Sequence, residues 1–533
     1  MSLTVSMLVV PVHSGCVAAQ LDVNGDKESV MDQPVHSELD AHDRYQLEFK
    51  YDYELLAHKK TRYRIVTYIF LPQSLGINAY TYPPDEFYRS LQNYVRLKTP
   101  VFSLQELAEK PGSPLNRAQR ILDDPDWLQH PNGGGLLITN FKFLRAILKD
   151  ALDDCLETLA LESDNSPREL ADAARFTGHL SELLTRTNVI VTRYRDFAGR
   201  INVAGVDARV LRSFRLTDES VSLVMEEVLT KTMMLLDKAQ LRESRPDLVE
   251  QIAARVSAEQ YYRRSQQYES VLNVNATDEQ FLFRMSVLKK FTSSVLYLSN
   301  QVQREGTTLV QILYAIAAGV SMIFATFVAF YFQQRYGNFT FPFFLALVIG
   351  YMFKDRIKDV MRGRSDSLLR SIVYDRRTII KTLDGEHELG YLREKVNYVR
   401  ERDVPLPVLT ARNRQLITEL DNDGQGEAVI RHEKLVVLNR NAFRHIYADA
   451  PEIQAVKDIT RIDVRRFLRK MDDPTQVWHY LDGDKVRRER LPRVYYINFV
   501  QNYQAQSEAV QLQGHRFRAR LTRKGIRGVE WLE

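Results

Sequence analysis

The feature that most constrains this chain is an apolar segment without a charged residue, ILYAIAAGVSMIFATFVAFYF, from Ile312 to Phe332. In a helix rising about 1.5 Å per residue, its 21 residues cover the roughly 30 Å of hydrocarbon in a bilayer. Helices in the core of a soluble protein rarely run this long without a charge. The segment therefore predicts a transmembrane helix, with Gly319 near its middle.

A second apolar segment, FTFPFFLALVIGYMF, runs from Phe339 to Phe353 after a turn of six residues. It is shorter than a full span, but it reaches a usable length if the residues just before it enter the interface. We therefore predict a transmembrane hairpin over residues 309–353. Two pairs of small residues four apart, Ala315 with Gly319 and Ser321 with Ala325, suit close helix packing, either on the second span, which the short turn favours, or on a second copy of the chain.

Charges on either side of the hairpin predict its orientation. Nine basic residues and four Asp lie between Lys354 and Lys381, whereas the turn between the spans holds one basic residue, Arg335. By the positive-inside rule both termini should be cytoplasmic, in a cell membrane crossed twice. Neither span contains an ionisable residue, which argues against a transport path. The residues that we expect to contact anionic lipid headgroups are Lys354, Arg356, Lys358, Arg362 and Arg364.

Composition shows that most of the protein lies in water. The chain has 533 residues, of which 26% are charged, and its mean hydropathy is -0.31, values typical of soluble globular proteins. Its two cysteines, Cys16 and Cys155, are far apart, which predicts neither a disulfide framework nor a zinc site. The apolar stretch from Leu3 to Val12 lacks a preceding basic residue and is interrupted by proline, so we do not interpret it as a signal peptide. The sequence leaves open whether translation starts at Met1 or Met31.

The overall pattern predicts an α+β membrane protein, in which the hairpin separates an N-terminal α/β-plus-helical cytoplasmic region from a C-terminal β-rich cytoplasmic domain. The predicted segments are a disordered leader (1–44), a small α/β or α+β unit (45–135), a helical region (136–305), the hairpin (309–353), a juxtamembrane helix and linker (354–400) and a β-rich domain (401–533).

Four local patterns make sharper predictions. The segments YQLEFKYDYEL and TRYRIVTYIFLP, around Tyr51 and Ile65, have the aromatic and β-branched content of strands. A helix is expected from about Pro84 through FYRSLQNYVRLK. Another is expected to begin at a capping box on Thr277 and to carry an apolar stripe as far as Val302. Asp482-Gly483 predicts a two-residue hairpin turn between strands.

No motif predicts a catalytic, cofactor or metal site. The loop LDNDGQGE around residues 421–427 resembles a calcium loop but lacks the required glycine and the final glutamate, so we interpret it as a turn. Eleven basic residues between Lys485 and Arg527 suggest a nucleic-acid or headgroup surface, but acidic residues intervene and no RNA-binding aromatic motif occurs, which favours a solvated face.

Two functional hypotheses remain open. The first is a non-enzymatic inner-membrane protein of bacterial type, whose cytoplasmic domains bind a protein partner, or a second copy, or respond to a signal. The second is a membrane-associated enzyme acting on lipid or nucleotide through a site assembled from dispersed residues. The first requires nothing that the sequence lacks.

Overall fold

The computed structural model describes residues 35–56, 59–130, 132–164, 170–243, 245–271, 279–337, 340–413, 426–505 and 515–532. The protein is a mixed α+β structure, about 51% helix and 27% strand, which confirms the predicted fold class in its coarse form. The calcium-like part of the loop at 421–425, the capping residue Thr277 and the span residue Phe339 lie outside the described residues.

The described residues contain fourteen β-strands. Their bounds are β1 Val35–Ala41, β2 Gln46–Glu54, β3 Lys60–Leu71, β4 Leu91–Leu97, β5 Ser299–Arg304, β6 Arg376–Lys381, β7 Glu388–Val399, β8 Ala428–Asn439, β9 Ala455–Asp463, β10 Thr475–Asp482, β11 Lys485–Pro492, β12 Tyr495–Ala505, β13 His515–Thr522 and β14 Gly525–Leu532.

The α-helices of the described residues are α1 Pro84–Arg89, α2 Leu104–Glu109, α3 Pro114–Asp123, α4 Gly133–Asp164, α5 Leu170–Asp196, α6 Ala198–Ile201, α7 Ala208–Lys238, α8 Pro246–Ser265, α9 Glu279–Ser293, α10 Thr307–Tyr336, α11 Phe341–Ile372, α12 Leu406–Arg412, α13 Arg440–Ile446 and α14 Arg465–Leu468. Short 3₁₀ turns lie at Gln73–Leu75, Ser294–Leu296 and Glu401–Asp403.

Strands from distant parts of the chain form two antiparallel sheets. The four-stranded sheet has the order β1-β2-β9-β4, the eight-stranded sheet has the order β14-β13-β12-β3-β8-β7-β6-β5, and β10 pairs with β11 as a separate ribbon. Strand β3, near the N-terminus, lies between β8 and β12, and β9 lies between β2 and β4. The segments 45–135 and 401–533 therefore do not form separate units, because their strands share both sheets.

Several element boundaries differ from the sequence predictions. Strand β1 lies inside the predicted leader 1–44, and β6 and β7 lie inside the predicted linker 354–400. The helix predicted from Pro84 ends at Arg89, and β4 follows it. In β4, Tyr94 is exposed and Val95 buried, an alternation that suits a sheet with one covered face. The predicted stripe as far as Val302 is likewise divided between α9 and β5.

The two sheets pack face to face through aromatic side chains. The ring of Phe49 on β2 meets that of Phe499 on β12 edge-on, with centroids 5.3 Å apart. Tyr53 on β2 stacks on Tyr63 of β3 at 5.4 Å. All four rings are almost fully buried, and aromatic pairs of this kind stabilise a core beyond their area burial. The core of this β-rich body is continuous with that of the helical region.

Long helices α4, α5, α7 and α8 form the helical region, with a buried ionic cluster among them. Arg195 on α5 donates to Asp218 on α7 at 3.1 Å and to Glu259 on α8 at 2.7 Å. The hydroxyls of Tyr262 and Tyr268 donate to Asp218, each at 2.8 Å. Because every carboxylate here accepts several hydrogen bonds, the cluster holds the three helices in one register.

Candidate membrane-anchoring site

Strands β5 and β6 carry the chain into and out of the apolar helices. They are antiparallel neighbours whose last pair joins Arg304 to Arg376. Gly306 then starts α10 in a left-handed conformation, with φ +80. A Cβ at this position would lie 2.6 Å from Cγ1 of Val373, so glycine is required both by its conformation and by the returning chain. The chain therefore leaves and re-enters the body at one place.

Helices α10 and α11 pack against each other in antiparallel order. Ala317 and Ser321 are buried on α10, and Ala346 and Gly350 are buried on α11. A Cβ on Gly350 would lie 3.3 Å from Val328. These small residues allow the two backbones to approach closely.

Of the two small pairs singled out in the sequence, the second contributes to this contact, since Ser321 is buried and Ala325 is partly buried, and the first does not. Ala315 and Gly319 are exposed on α10, and no atom lies within 4 Å of a Cβ built on Gly319. A helix turns by about 100° per residue, so a shift of two positions moves a side chain to another face. The spacing of small residues therefore predicted the contact face of α10 at Ser321 but not at Ala315 and Gly319.

The surface of the helix pair is apolar and exposed. Only 11% of the apolar window of α10 is buried, unlike a core helix of a soluble protein. Ile312 and Phe353 are about half exposed, and Phe332 is partly covered. The exposed apolar side chains of α10 and α11 include Ile316, Val320, Ile323, Phe327, Phe330, Phe341, Phe344, Val348 and Met352. An uninterrupted surface of this kind suits lipid and is unfavourable in water.

By length and composition, one helix among the described residues, α10, meets the requirement for a membrane span. The two-span prediction is not confirmed, because the uncharged part of α11 runs only from Phe341 to Phe353. Thirteen residues in a helix measure about 20 Å, short of the roughly 30 Å of hydrocarbon.

The apolar parts of the two helices are also offset along their common axis. The guanidinium of Arg362 lies 5.0 Å from the centre of the Tyr314 ring, and Gly350 contacts Val328. In this register Lys354 lies beside the middle of α10 rather than beside its beginning. The basic flank of α11 thus accompanies the first half of the α10 apolar segment.

The five predicted headgroup residues occupy two environments on α11. Lys354, Lys358 and Arg362 are partly covered on the side near α10, whereas Arg356 and Arg364 are exposed. The ammonium of Lys354 lies 3.8 Å from the centre of the Tyr351 ring. This is the geometry of a cation held over an aromatic face, and Lys354 keeps a long flexible stem that can reach towards an interface.

Sequence reasoning missed a buried ionic cluster between the two sheets. Lys434 on β8 donates to Asp458 at 2.6 Å and to Thr460 at 2.8 Å, and its ammonium lies 3.9 Å from Glu394. Tyr53 donates to Asp458 at 3.1 Å. The alternation Ile430, His432, Lys434, Val436 along β8 was the available signal, since it places Lys434 on the inward face.

Glu394 is the most perturbed acid of this cluster. Burial alone raises the pKa of its carboxyl, but the His432 imidazole, the Lys434 ammonium and the Asn93 amide lower that pKa to about 2. Asn93 donates to both carboxylate oxygens, at 3.0 and 3.1 Å. A paired, ionised carboxylate of this kind between two sheets fixes their relative position. It lies apart from the cavities described next.

A cavity of about 300 Å³ lies where the four-stranded sheet meets α4. Its basic lining residues are Arg96, Lys98 and Lys457, and its acidic ones are Asp150, Asp153 and Asp154. Burial and the neighbouring acids raise the pKa of Asp154. The basic residues lie on the sheet side and the acidic residues on α4, so their charges are complementary across the cavity. We therefore interpret the cavity as a polar gap at the junction between the sheet and the helical region. Among the described residues, no group of three or more His, Cys, Asp or Glu could hold a metal ion.

No protein-family model matches this chain, and neither a curated protein nor a solved structure matches it. Its function is therefore argued from its own residues.

Proposed function

We propose that this chain is a non-catalytic integral membrane protein of the bacterial inner-membrane type, anchored by α10 and α11 as two spans, with its folded body in the cytoplasm. The observation that carries the proposal is the exposed apolar surface of α10. Ten of the residues from Ile312 to Phe332 are Leu, Ile, Val or Phe. At about 0.3–0.6 kcal/mol each, they favour insertion by roughly 3–6 kcal/mol.

The pairing of β5 with β6 supports an even number of crossings. These strands precede α10 and follow α11 and are neighbours in one sheet. Because a sheet is continuous through its hydrogen bonds, it lies on one side of a bilayer. A chain that crosses in α10 must therefore cross back in α11. Because the register places the charges from Lys354 to Arg362 beside the first half of the α10 apolar segment, a crossing by α11 requires the bilayer to thin locally and these basic side chains to reach to the interface.

A partner-binding role for the cytoplasmic body is supported by an apolar patch on α9. Leu282 and Phe283 are adjacent and are 65% and 72% exposed. Exposed apolar side chains that stand together, rather than singly, are typical of interaction sites. A photo-crosslinking residue placed at Phe283 should therefore capture a discrete protein in intact cells. The same residue at Tyr261 on α8, which is 75% exposed, should capture less of it.

The topology is tested by labelling single cysteines with a membrane-impermeant maleimide in intact cells. In a Cys16→Ser, Cys155→Ser background, Gly337→Cys lies at the turn after α10 and Gly385→Cys at the turn between β6 and β7. Both glycines have positive φ and open space around a Cβ, so the two substitutions are matched in backbone strain. Two spans with a cytoplasmic body require labelling at residue 337 without permeabilisation and at residue 385 only after it.

Two results would contradict the proposal in different ways. If residue 337 is labelled only after permeabilisation although the protein stays in carbonate-washed membranes, the helix pair enters the bilayer without crossing it. If the protein is released by the carbonate wash, the helix pair is not a membrane anchor.

A further inference from the structure

The ribbon of β10 and β11 projects from the body without a covering neighbour. Within the part of the chain that the structure describes, these strands pair only with each other, and all but one of their sixteen residues are exposed. Gly483, with φ +62, begins a two-residue turn with Asp484, one residue further along than the predicted Asp482-Gly483, because Asp482 pairs with Lys485. An isolated two-stranded hairpin is marginally stable at best in water, so a ribbon of this length gains order from whatever it contacts.

The two faces of the ribbon differ in charge. On one face the cross-strand pairs are Leu481 with Val486, His479 with Arg488, and Val477 with Arg490. This face, which we call the acid-free face, combines an apolar pair at the tip, each residue 71% exposed, with two arginines behind it.

The opposite face carries both acids of the paired strands. Its cross-strand pairs include Trp478 with Glu489 and Asp482 with Lys485. Asp482 is also neutralised by Arg487, with their charged atoms 2.6 Å apart. The acid-free face is therefore the one that an anionic surface would attract.

The ribbon and the helix pair leave the eight-stranded sheet at the same end. The strand order there is β12-β3-β8-β7-β6, and every neighbouring pair is antiparallel. Strands β12 and β6 consequently run in the same sense, rotated relative to each other by the twist that accumulates across the sheet. The ribbon ends where β12 begins, and α11 ends just before β6 begins. Four strand spacings of about 4.8 Å separate β12 from β6 laterally by roughly 19 Å. The ladder pairs place Arg376 level with Tyr503, so the start of β12 lies eight residues, about 26 Å, further towards this end of the sheet.

The two strands of the ribbon are joined to each other at its base. The backbone N–H of Arg493 donates to the carbonyl oxygen of Pro474 at 3.0 Å, and its guanidinium pairs with Asp472 at 2.9 Å. The tip lies eight residues further out, about 26 Å in an extended strand. A bilayer that contains the helix pair is within reach of this tip.

From this placement we infer that the ribbon is a second membrane contact, whose Leu481–Val486 tip enters the interface of an anionic bilayer while Arg488 and Arg490 bind lipid phosphates. The inference rests on the proposed anchoring by α10 and α11. Apolar side chains that enter the headgroup region and arginines that bind phosphate are the general elements of peripheral membrane contacts. With this second contact, the ribbon would hold the body at a fixed orientation relative to the membrane surface, which the helix pair alone does not do.

The experiment uses the full chain, in a Cys16→Ser, Cys155→Ser background, reconstituted in vesicles of phosphatidylglycerol and phosphatidylethanolamine. An environment-sensitive fluorophore is attached at Leu481→Cys, at Glu489→Cys on the opposite face, or at Phe327→Cys on α10. Lipid carrying a nitroxide on its acyl chain is the quencher. We expect strong quenching at residues 327 and 481 and little at residue 489.

The outcomes separate the two proposals. Quenching at residue 327 without quenching at residue 481 overturns the ribbon contact and leaves the anchor intact. Absence of quenching at both positions overturns both. The fluorophore at residue 481 could instead be shielded from water to an extent that depends on protein concentration, with no effect of the lipid quencher. That result indicates pairing with a second copy and also overturns the membrane contact.

A charge test uses matched double variants of the same ribbon. Arg488→Gln with Arg490→Gln removes two charges from the acid-free face, and Lys485→Gln with Arg487→Gln removes two from the other face. We expect the first pair to reduce quenching at residue 481 several-fold and the second pair to leave it nearly unchanged. Equal effects of the two pairs would contradict recognition of the membrane by the acid-free face.

Discussion

Removing the charge of Lys434 should destabilise the β-rich body more than any surface change. In Lys434→Met the side chain keeps its length, but Asp458 loses the ammonium at 2.6 Å and Glu394 loses the one at 3.9 Å. Both carboxylates remain almost fully buried. Breaking a buried ion pair by removing one partner typically costs about 3–5 kcal/mol, because the other charge stays buried and uncompensated.

The size of the effect makes it measurable by urea unfolding in mild detergent, followed by near-ultraviolet circular dichroism of the packed aromatic residues. With a slope of about 2 kcal/mol per molar, a loss of about 4 kcal/mol lowers the midpoint by roughly 2 M. The double variant Lys434→Met, Asp458→Asn is the control. It removes both charges and leaves an amide oxygen that accepts from Tyr53, so it should recover a large part of the loss.

Two results would refute this reasoning. A loss below about 1 kcal/mol in the single variant would mean that Lys434 is not desolvated as the structure places it. A double variant as unstable as the single one would mean that the damage comes from packing around residue 434 rather than from the uncompensated charge of Asp458.

Three further changes test other parts of the molecule. Glu394, with its pKa lowered to about 2, should contribute about 3 kcal/mol to the free energy of unfolding, fully present above roughly pH 4.5 and lost as the pH falls towards 2. Glu394→Gln should flatten this part of an acid-unfolding curve. An unchanged curve would contradict the prediction. Gly350→Leu should force α11 away from Val328 and weaken the helix pair by about 1–3 kcal/mol, measured by thermal unfolding in detergent, whereas Gly319→Leu on the exposed face should be near neutral. Arg195→Met should lower the melting temperature of the helical region, because buried Asp218 loses its cation and Glu259 keeps only Arg255, at 3.3 Å. A shift no larger than that of an exposed arginine would contradict the role of that cluster.

The sequence predicted those elements whose signal is local. The segment from Ile312 to Phe332 lies within α10, and strands form around Tyr51 and Ile65 as expected. The hairpin indicated by Asp482-Gly483 also forms, with its turn one residue further along at Gly483-Asp484. In each case a run of uncharged residues, a two-residue period or a turn residue acts within a few positions. These local signals can be read without knowing which other segment packs against the element.

What sequence reasoning missed depends on contacts between distant segments. Strand β4 was predicted as part of a helix. The hydrophobic periodicity of LQNYVRL does not distinguish a helix from a strand, and the pairing of β4 with β9 decides the conformation. Strands from both ends of the chain pair in the same two sheets, and no short sequence pattern predicts which distant strands become neighbours.

The site was predictable only in part for the same reason. The apolar and basic segments of the anchoring site were identified, but the offset that places Lys354 beside the middle of α10 is a property of helix packing. Burial of Lys434 likewise requires the opposite sheet. These features become visible only when the partner element is known.

The position of β3 between β8 and β12 also determines the order in which this protein can be made. About 360 residues separate the end of β3 from the start of β8, and at about 5–20 residues per second their synthesis takes roughly 20–70 s. During this interval β3 has neither of its final neighbours, while the helix pair has already left the ribosome. On the proposed anchoring, membrane insertion therefore precedes closure of the eight-stranded sheet. The exposed edges of β3 need protection from other chains until the last hundred residues arrive.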